Sequence, residues 1–413
     1  MKFYDTNALL ELCEKNMIQD KFLISSISLT ELENIKTNIH KDLLTKYKAR
    51  RAIHFLEEFP EAYDVFVYGE DELEILNEYH LEINSDNKIC ASAKLAEVLG
   101  KDIVFITNDI CCKIIAEKIF NLKTEQVDFL DLNDHYKGFI EKIMAEEEMA
   151  SFYSNLNVNY YGLKQNEYLI IKNSNNELVD KFKWDGLTYT PVKIPTVRSD
   201  IFGTVKPYQG DVYQQLLLNS FATNQLTMVK GTAGTGKSYL ALGYLFSLLD
   251  SHKIEKIIIF CNTVCTANSA KLGFYPGTRN EKLLDSSIGN MLSAKLGGIY
   301  GVEQLVGQGK IELIPMSDIR GYDTSEMKAG VYITEAQNMD ISLMKLALQR
   351  IGNDSVCCII DGDYYAQVDL PEYANGNNGM RRMSQVFRGQ PFYGEVELQN
   401  IYRSQIAKVA DEM

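Results

Sequence analysis

A glycine-rich loop constrains the fold more than any other feature of this sequence. It lies in MVKGTAGTGKSYLALGYL (228–245), between an apolar run and a helix-like stretch, and it matches GxxxxGK[ST] in full. The matching residues are Gly231, Thr232, Ala233, Gly234, Thr235, Gly236, Lys237 and Ser238. After a strand and before a helix, this motif binds phosphates through backbone N–H groups, a lysine and a serine that ligates Mg²⁺. It therefore predicts a parallel α/β sheet with a nucleoside triphosphate site.

Short apolar runs alternate with helical patterns in two parts of the chain, as is typical of parallel α/β sheets. In the first part the runs are KFYD, FLISSI, YDVFVY and DIVFITND, and in the last they are QLTMVKG, KIIIFCNTV, KIELIPM, GVYITEA and SVCCIIDGD. The sequence pattern between these parts favours short antiparallel strands around an Asn/Ser turn, in NEYLIIKNSNNELVDKFKWDGLTYT. We predict an α/β domain at 1–135, a connector with a small β module at 136–205, and a P-loop domain at 206–413.

Composition excludes several other classes of protein. The net charge of -14 argues against a basic coat for nucleic acid, although a local basic path stays possible. The eight cysteines form no CxxC pair, and the five histidines lack zinc-ligand spacing, so metal chemistry would depend on carboxylates. The first residues do not resemble a signal peptide, and no run approaches the roughly 18 apolar residues of a membrane span. We expect a cytoplasmic protein with no membrane segment.

A nucleoside triphosphatase also needs an acid at the end of a second strand, to hold the metal and orient the attacking water. GVYITEA offers Glu335, but Thr334 stands where such strands usually carry an aspartate. We therefore expect weakened Mg²⁺ binding unless Asp361 or Asp363, at the end of SVCCIIDGD, compensates. Asp363 and Gln367 are candidate sensors of the γ-phosphate, and ordinary residues of a surface turn are the alternative.

Several C-terminal segments resemble the PhoH-like P-loop ATPases over about 206–413. They are LGFYPGTRNEK (272–282), IRGYDTSEMKAGVYITEAQN (319–338), LQRIGNDS (348–355), GDYYAQVDL (362–370) and IYRSQIAK (401–408). The most specific is LGFxPGxxxEK, which generic P-loop proteins do not carry. The resemblance implies ATP and Mg²⁺ at Lys237 and Ser238, adenine recognition by Gln214, and activation of water by Glu335.

The same resemblance implies a sensor at Gln367 and an arginine finger at Arg403, supplied by a neighbouring subunit of a homo-oligomer, expected to be a hexameric ring. A solvated helix arginine is the alternative for Arg403. Three positions depart from the family pattern: Thr334, CNTV (261–264) in place of an Arg-Pro pair, and Asn400 where an acid often precedes the arginine. These departures argue against efficient hydrolysis, not against nucleotide binding.

Four acids in the first part of the chain form a second candidate site. They are Asp5, Glu31, Asp86 and Asp109, each expected after a strand and near the start of a helix. Singly, helix capping explains them, since Ser28 and Glu31 fit a capping box and the two later aspartates fit N-caps. Together, they would meet at one sheet edge and repel one another unless they shared divalent cations. Oxygen ligands of this kind select Mg²⁺ or Mn²⁺, and two such ions about 3.5–4 Å apart cleave phosphodiesters.

The pattern Asp-Thr-Asn, Glu-Leu, Asp-Asn and Thr-Asn-Asp resembles the PIN family of metal-dependent ribonucleases over about 1–135. This resemblance implies that the four acids are metal ligands, with Asn7 and Thr107 in support. The basic segment HKDLLTKYKARR (40–51) could hold RNA phosphates, and a solvated helix face explains it equally well. Tyr160, Tyr161 and Trp184 could stack on bases, but packing of a small β core is the preferred interpretation.

A PIN-like domain followed by a PhoH-like ATPase is a known fusion architecture. It implies an ATP-driven, helicase-like module that brings single-stranded or partly structured RNA to a Mg²⁺- or Mn²⁺-dependent ribonuclease. The alternative is a regulatory or assembly ATPase whose first domain binds RNA and cuts it weakly or not at all. A nuclease acting on DNA is a third possibility, because nothing in the sequence reads a 2′-hydroxyl.

Overall fold

The computed structural model describes residues 1–14, 20–38, 41, 43–127, 135–261, 287–363 and 378–402. Within the chain, Met1–Phe129 and Leu130–Met413 form two compact units, and the stretch 136–205 belongs to the second. LGFYPGTRNEK, CNTV beyond its first residue, Gln367 and Arg403 lie outside the described residues. No helix in the described ranges is long and apolar enough to cross a membrane.

The first unit is built on five parallel strands. These are β1 (Lys2–Tyr4), β2 (Phe22–Ser25), β3 (Tyr63–Phe66), β4 (Val104–Ile106) and β5 (Lys123–Glu125), in the order β3-β2-β1-β4-β5. Its helices are α1 (Thr6–Glu14), α2 (Ser26–Thr37), α3 (Leu43–Glu58), α4 (Glu70–Glu78), α5 (Ser85–Val98) and α6 (Ile110–Ile114), followed by one π-helical turn (Ile115–Ile119). The predicted parallel sheet is confirmed, and the pattern missed only β5, whose sequence KTE has no apolar run.

Alternating strand residues of the first unit face two separate cores. Phe3 and Phe105 pack with apolar side chains of α4, α5 and α6 on one face of the sheet. Tyr4 and Ile106 pack with those of α1, α2 and α3 on the other face. Because both faces are covered, the sheet edge where β1 and β4 end is left to carry polar side chains.

The second unit contains the remaining strands and helices. The strands are β6 (Phe139–Ile143), β7 (Tyr168–Lys172), β8 (Leu178–Trp184), β9 (Tyr189–Pro191), β10 (Val197–Ser199), β11 (Gly203–Val205), β12 (Leu226–Lys230), β13 (Lys256–Cys261), β14 (Ile311–Pro315), β15 (Ala329–Ile333), β16 (Cys357–Gly362) and β17 (Tyr393–Glu397). The helices are α7 (Glu146–Ser154), α8 (Val212–Thr223), α9 (Lys237–Asp250), α10 (Ser287–Leu296), α11 (Ile299–Gly307), α12 (Ile341–Leu348) and α13 (Gly379–Phe387).

The main sheet of this unit is parallel, in the order β14-β13-β15-β16-β12-β17. Apolar side chains of α8 to α11 cover one face, where they meet Ile257 and Ile259. Those of α12 and α13 cover the other, where they meet Ile258 and Phe260. Five of the six strands coincide with predicted apolar runs, and β17 was not predicted. In this order β16 separates β15 from β12, so the two strands that lead to Glu335, Asp361 and Asp363 lie on the same side of the strand that precedes the phosphate loop.

A smaller four-stranded sheet, β6-β7-β8-β9, forms from the stretch predicted as a β module. Strands β7, β8 and β9 are antiparallel, as the pattern predicts, whereas β6 pairs with β7 in parallel. Trp184 packs with Phe152 and Tyr189 in the core of this module, while Tyr160 is 53% exposed. The preferred interpretation as core residues is therefore confirmed for Trp184, and for Tyr161, which packs against the same cluster, and it is wrong for Tyr160.

A buried ionic cluster lies at the end of β12, directly before the phosphate loop. The Lys230 Nζ lies 2.6 Å from Oε1 of Glu395 and 3.9 Å from Oε2 of Glu397, and both partners are on the neighbouring β17. Glu395 also accepts hydrogen bonds from the hydroxyl groups of Ser384 and Tyr393. These bonds stabilise two carboxylates in a strand that is buried along its whole length.

Replacing Lys230 by Met removes the positive charge that it places beside two buried carboxylates. We expect the free energy of unfolding of the second unit to fall by about 3–5 kcal/mol. Urea unfolding followed by the fluorescence of Trp184, the single tryptophan of the chain, measures this. The control is Lys256→Met, which breaks a pair with Glu312 whose side chains are 31% and 38% exposed and costs about 0–1 kcal/mol. Equal losses in the two variants would contradict the prediction.

Candidate nucleotide site and carboxylate centre

The phosphate loop has a backbone that only glycine adopts easily. Gly231, Gly234 and Gly236 have φ angles of 151°, 87° and 92°, in a region that a Cβ disfavours. A Cβ on Gly231 would also lie 3.0 Å from the carbonyl oxygen of Leu398. The loop leads from β12, which is buried throughout, into the N-terminus of α9. The sequence therefore folds here into a cradle of N–H groups suited to an anion.

Lys237 lies across this cradle. Its Nζ donates to the carbonyl oxygens of Gly231 (2.6 Å) and Thr232 (3.1 Å). A pocket of about 270 Å³ opens beside it, lined by the loop together with Met291, Glu335, Asp361 and Asp363. These residues include most of the predicted nucleotide site that the structure describes.

Asp361 is the acid that contacts the phosphate loop. The Ser238 hydroxyl donates to its Oδ2 at 2.9 Å, and the Tyr332 hydroxyl donates to the same oxygen at 2.7 Å. The backbone N–H of Glu335 donates to Oδ1 at 3.3 Å. Burial, together with the charge of Asp361, holds the pKa of Tyr332 far above its usual range, so this phenol stays a donor. Sequence reasoning did not identify Tyr332, although it lies in the quoted segment GVYITEA.

Glu335 presents an exposed carboxylate to the pocket. Its φ of 52° lies in the left-handed region, a conformation that costs a non-glycine residue about 1–3 kcal/mol and clusters at functional sites. Gln337 donates from Nε2 to its Oε2 at 2.7 Å and accepts from the backbone N–H of Asp363 with Oε1. Gln337 thus orients the predicted base, a role that sequence reasoning missed although the residue stands in TEAQN.

Gln214 is buried, and its amide is bonded at both ends within the chain. Its Oε1 accepts from the backbone N–H of Tyr208 at 2.8 Å, and its Nε2 donates to the carbonyl of Thr235 at 3.0 Å. It therefore ties the segment before α8 to the phosphate loop. The adenine contact implied by the family resemblance stays a prediction.

Asp211 explains one departure from the family pattern. Its Oδ1 caps α8 by accepting from the N–H groups of Tyr213 and Gln214, and its Oδ2 accepts from Asn400 Nδ2 at 3.0 Å and from the Tyr402 hydroxyl. An acid at position 400 would face this carboxylate with like charge, whereas the amide donates to it. Asp211 thus fixes the segment that leads to position 403, a role that was not predicted.

In the first unit, two threonines link three of the four predicted acids. Asp5 is buried, and it accepts from the Thr107 hydroxyl at 2.8 Å and from the backbone N–H of Thr6 at 2.6 Å. The Thr6 hydroxyl donates to Glu31 at 2.5 Å, and the Thr107 oxygen accepts from the backbone N–H of Asp109 at 3.0 Å. Thr107 supports the acids as predicted, and Thr6, within FYDTN, was missed.

Two of the four carboxylates, Asp5 and Asp86, have pKa values raised by burial and by the charges of the other acids. Burial raises the pKa of Asp5 to about 6, and the charges of Asp86 and Glu31 add to the rise, while the two threonine hydrogen bonds oppose it. The pKa of Asp86 is raised by its partial burial and by the charges of Glu31 and Asp109. A cluster of acids that repel one another in this way favours a shared cation.

For two of these acids, the structure corrects the predicted position directly after a strand. Asp5 and Asp109 follow β1 and β4 as predicted, but Glu31 lies inside α2 and Asp86 lies in the first turn of α5, which no strand directly precedes. The predicted capping box is wrong, because Ser25 caps α2. Asn84 caps α5, so the Asp86 carboxylate is not the cap. Asp109 does cap α6, accepting from Cys112 at 2.8 Å.

The donor set fits Mg²⁺ or Mn²⁺, since it consists of carboxylate and hydroxyl oxygens. As the side chains stand, however, no three or more His, Cys, Asp or Glu of the described ranges converge to hold a metal ion. Asp86 is exposed and Glu31 half-buried, so both have room to rotate toward a cation. In the predicted basic segment Arg50 and Arg51 are exposed, whereas Lys48 pairs with Glu11 at 2.6 Å.

Replacing Asp5 by Asn stabilises the protein at neutral pH in the presence of EDTA. The pKa of Asp5 is raised on folding, so the folded state prefers the protonated form, and stability is lost as pH rises from 3.8 through about 6. At 1.36 kcal/mol per pKa unit, the ionised form costs at most roughly 3 kcal/mol. Thermal unfolding from pH 4 to 8 measures this: the variant gains over the wild type above pH 6, and the gain vanishes near pH 4.

The matched control for this prediction is Asp102→Asn, which removes an 85% exposed carboxylate and leaves the pH profile unchanged. An Asp5→Asn protein that is less stable than the wild type at pH 8 would show that the carboxylate is a structural cap and not a strained ligand.

Comparison with known proteins adds to this geometry. The family model for PhoH-like protein matches residues 207–413, and a PIN domain model matches residues 3–128. Protein PhoH2 of Bacillus subtilis (strain 168) is 26% identical over 362 residues, 82% of this chain and 79% of that protein. Protein PhoH2 of Thermobispora bispora is 23% identical over 355 residues, 80% and 74% of the two chains. The crystal structure of Pif1 helicase from Candida albicans matches with 18% identity and a TM-score of 0.27, over 48% of this chain and 41% of that one, too weak a likeness to support an inference.

Proposed function

Because the chain belongs to the family of PhoH-like proteins and carries a PIN domain ahead of the PhoH-like part, we propose that it couples ATP-driven RNA remodelling to Mg²⁺- or Mn²⁺-dependent RNA cleavage. The observation that carries this proposal is the presence, on one chain, of a phosphate cradle with an acid and an exposed base and of four charge-coupled carboxylates. Neither site alone would link nucleotide turnover to cutting.

In the proposed ATPase cycle, the loop N–H groups and Lys237 bind the β- and γ-phosphates. Mg²⁺, when bound at Ser238, neutralises charge that develops on the phosphates. Glu335 accepts a proton from the attacking water, and Gln337 holds the carboxylate in position for it. The family resemblance adds Arg403 from a neighbouring subunit, and on that basis we propose a homo-oligomeric ring, hexameric and cytoplasmic. The sensor role of Gln367 belongs to the same proposal.

In the proposed nuclease, Asp5, Glu31, Asp86 and Asp109 hold the metal, which supplies a Lewis acid and an activated water. Thr107 and Thr6 fix the orientation of Asp5 through hydrogen bonds to both of its oxygens. Without a cation, burial raises the pKa of Asp5 to about 6, and a bound metal ion would lower this pKa and favour the ionised ligand. Exposed Arg50 and Arg51 on α3 offer charge to the RNA backbone.

A comparison of RNA with DNA tests the proposed substrate class. End-labelled single-stranded RNA and DNA of the same sequence are incubated with the wild-type protein in Mg²⁺ or Mn²⁺. The proposal expects cleavage of RNA that EDTA abolishes, with DNA left intact. If DNA is cut at the same rate, the proposed substrate class becomes nucleic acid in general. If neither RNA nor DNA is cut with either metal, the regulatory ATPase is favoured.

A further inference from the structure

The acid expected at the end of β15 is found one strand closer to the phosphate loop. Thr334 follows β15 directly, where an aspartate is usual, and it is buried. In the register of the two parallel strands, Ile333 pairs with Ile360, so Thr334 and Asp361 are the next cross-strand neighbours. On its other side Asp361 pairs with Val229 of β12, the strand that leads into the loop.

The contacts of Asp361 are those that an acid needs in order to position a metal ligand. Its carboxylate is buried and receives the Ser238 hydroxyl, the Tyr332 hydroxyl and the backbone N–H of Glu335. Ser238 is the loop residue that ligates Mg²⁺ in this motif. The hydrogen bond to Asp361 therefore orients the serine oxygen. The same carboxylate also accepts the backbone N–H of Glu335, the proposed base.

The two positions also balance each other in charge. A carboxylate at both 334 and 361 would place two buried anions side by side, which is costly without a cation between them. A hydroxyl at 334 beside a carboxylate at 361 keeps a single negative charge in the pair, and Tyr332 donates to it. Thr334 therefore does not imply a loss of the acid.

We propose that Asp361 is the positioning residue that fixes Ser238 for Mg²⁺, in place of an aspartate at the end of β15. This inference rests on the proposed ATP site and deepens it. It replaces the expectation of weakened Mg²⁺ binding at Thr334 by a full Mg²⁺ requirement that Asp361 supports through Ser238.

The test measures binding of a fluorescent ADP analogue (mant-ADP) to the full-length protein, with Mg²⁺ and with EDTA. The quantity of interest is the ratio of the two dissociation constants. Asp361→Asn is expected to lose about 10–100-fold of the tightening that Mg²⁺ gives, as for other residues that orient a metal ligand. Any change in binding in EDTA enters both constants, so the ratio isolates the Mg²⁺ effect. Asp340→Asn, which removes the charge of an aspartate outside the pocket while Asn can still cap α12, is the matched control and keeps the full ratio.

A double-mutant cycle with Ser238→Ala separates positioning from a structural role. Because Asp361 acts through Ser238, the double variant should lose no more of the Mg²⁺ effect than Ser238→Ala alone. An Asp361→Asn protein that keeps the full ratio, or two losses that multiply, would overturn the proposal. If the wild type fails to bind the analogue in EDTA and in Mg²⁺, the proposed ATP site itself fails, which is a distinct result.

An exchange variant covers the case in which Asp361→Asn does not fold. Thr334→Asp/Asp361→Thr retains the same two side chains in the cross-strand pair, with the acid moved to β15. Positions 334 and 361 are cross-strand neighbours, so an aspartate at 334 should also come close to Ser238. We therefore expect the exchange variant to recover the Mg²⁺ effect. A folded exchange variant that binds the analogue in EDTA and gains nothing from Mg²⁺ would overturn the part of the proposal in which Asp361 stands in place of an aspartate at the end of β15.

Discussion

Replacing Asp86 by Asn is expected to lower metal-dependent RNA cleavage by roughly 10²–10³-fold. Losing a carboxylate that holds the metal removes several kcal/mol of transition-state stabilisation, and each 1.36 kcal/mol is a factor of ten in rate. The variant is informative because Asn84, not Asp86, caps α5, so the fold of this helix does not need the carboxylate. Single-turnover cleavage of end-labelled single-stranded RNA in Mn²⁺ or Mg²⁺ gives the rate.

The control for Asp86 is Asp71→Asn, which changes another exposed aspartate in the first turn of a helix. It should cut RNA at the wild-type rate. If Asp86→Asn also cuts at that rate while EDTA still abolishes cleavage, Asp86 is not a ligand, and the metal site must use other carboxylates.

The second large effect concerns the base of the ATPase. Glu335→Gln is expected to lower the rate constant of ATP hydrolysis by roughly 10²–10⁴-fold, the usual contribution of a general base. Binding of ATP should change little, because the cradle, Lys237 and Ser238 are untouched. Phosphate release and nucleotide binding, measured on the same preparation, separate the two quantities.

Glu326→Gln is the matched control, since Glu326 is also an exposed glutamate with a left-handed backbone, φ 66°. It should hydrolyse ATP normally. Equal activities of the two variants would contradict the role of Glu335. If Glu335→Gln stops hydrolysis but leaves every effect on RNA intact, the regulatory alternative is favoured over the coupled enzyme.

The features of the fold that the sequence predicts are those encoded in one contiguous stretch of the chain. The phosphate loop is a contiguous motif, and the strands found from sequence are contiguous apolar runs. Strand β17 was missed because YGEVE carries two acids. They are tolerated in a buried strand because Lys230, more than 160 positions earlier in the chain, neutralises them, and no local pattern reveals that pairing.

The two candidate sites were likewise predictable only where their residues stand in one contiguous stretch of sequence. Asp5 was predictable from FYDTN and Asp109 from the end of a strand, whereas the link from Asp5 to Glu31 depends on the Thr6 hydroxyl and on the packing of α2. The sequence indicates Asp361 only as a substitute for a missing acid, because its contact with Ser238 spans 123 positions of sequence and requires the strand order. Contacts between residues far apart in the chain build both candidate sites, and the spacing of a single sequence does not show them.

The central claim is that ATP turnover drives RNA into the nuclease. The most direct measurement compares the cleavage rate of a hairpin RNA with that of a single-stranded RNA, with and without ATP, for the wild type and Glu335→Gln. The account predicts that ATP accelerates cleavage of the hairpin only in the wild type, while the single strand is cut equally by both proteins. If the hairpin is cut at the same rate without ATP, or equally fast by Glu335→Gln with ATP, then the two sites work independently and the coupling is contradicted.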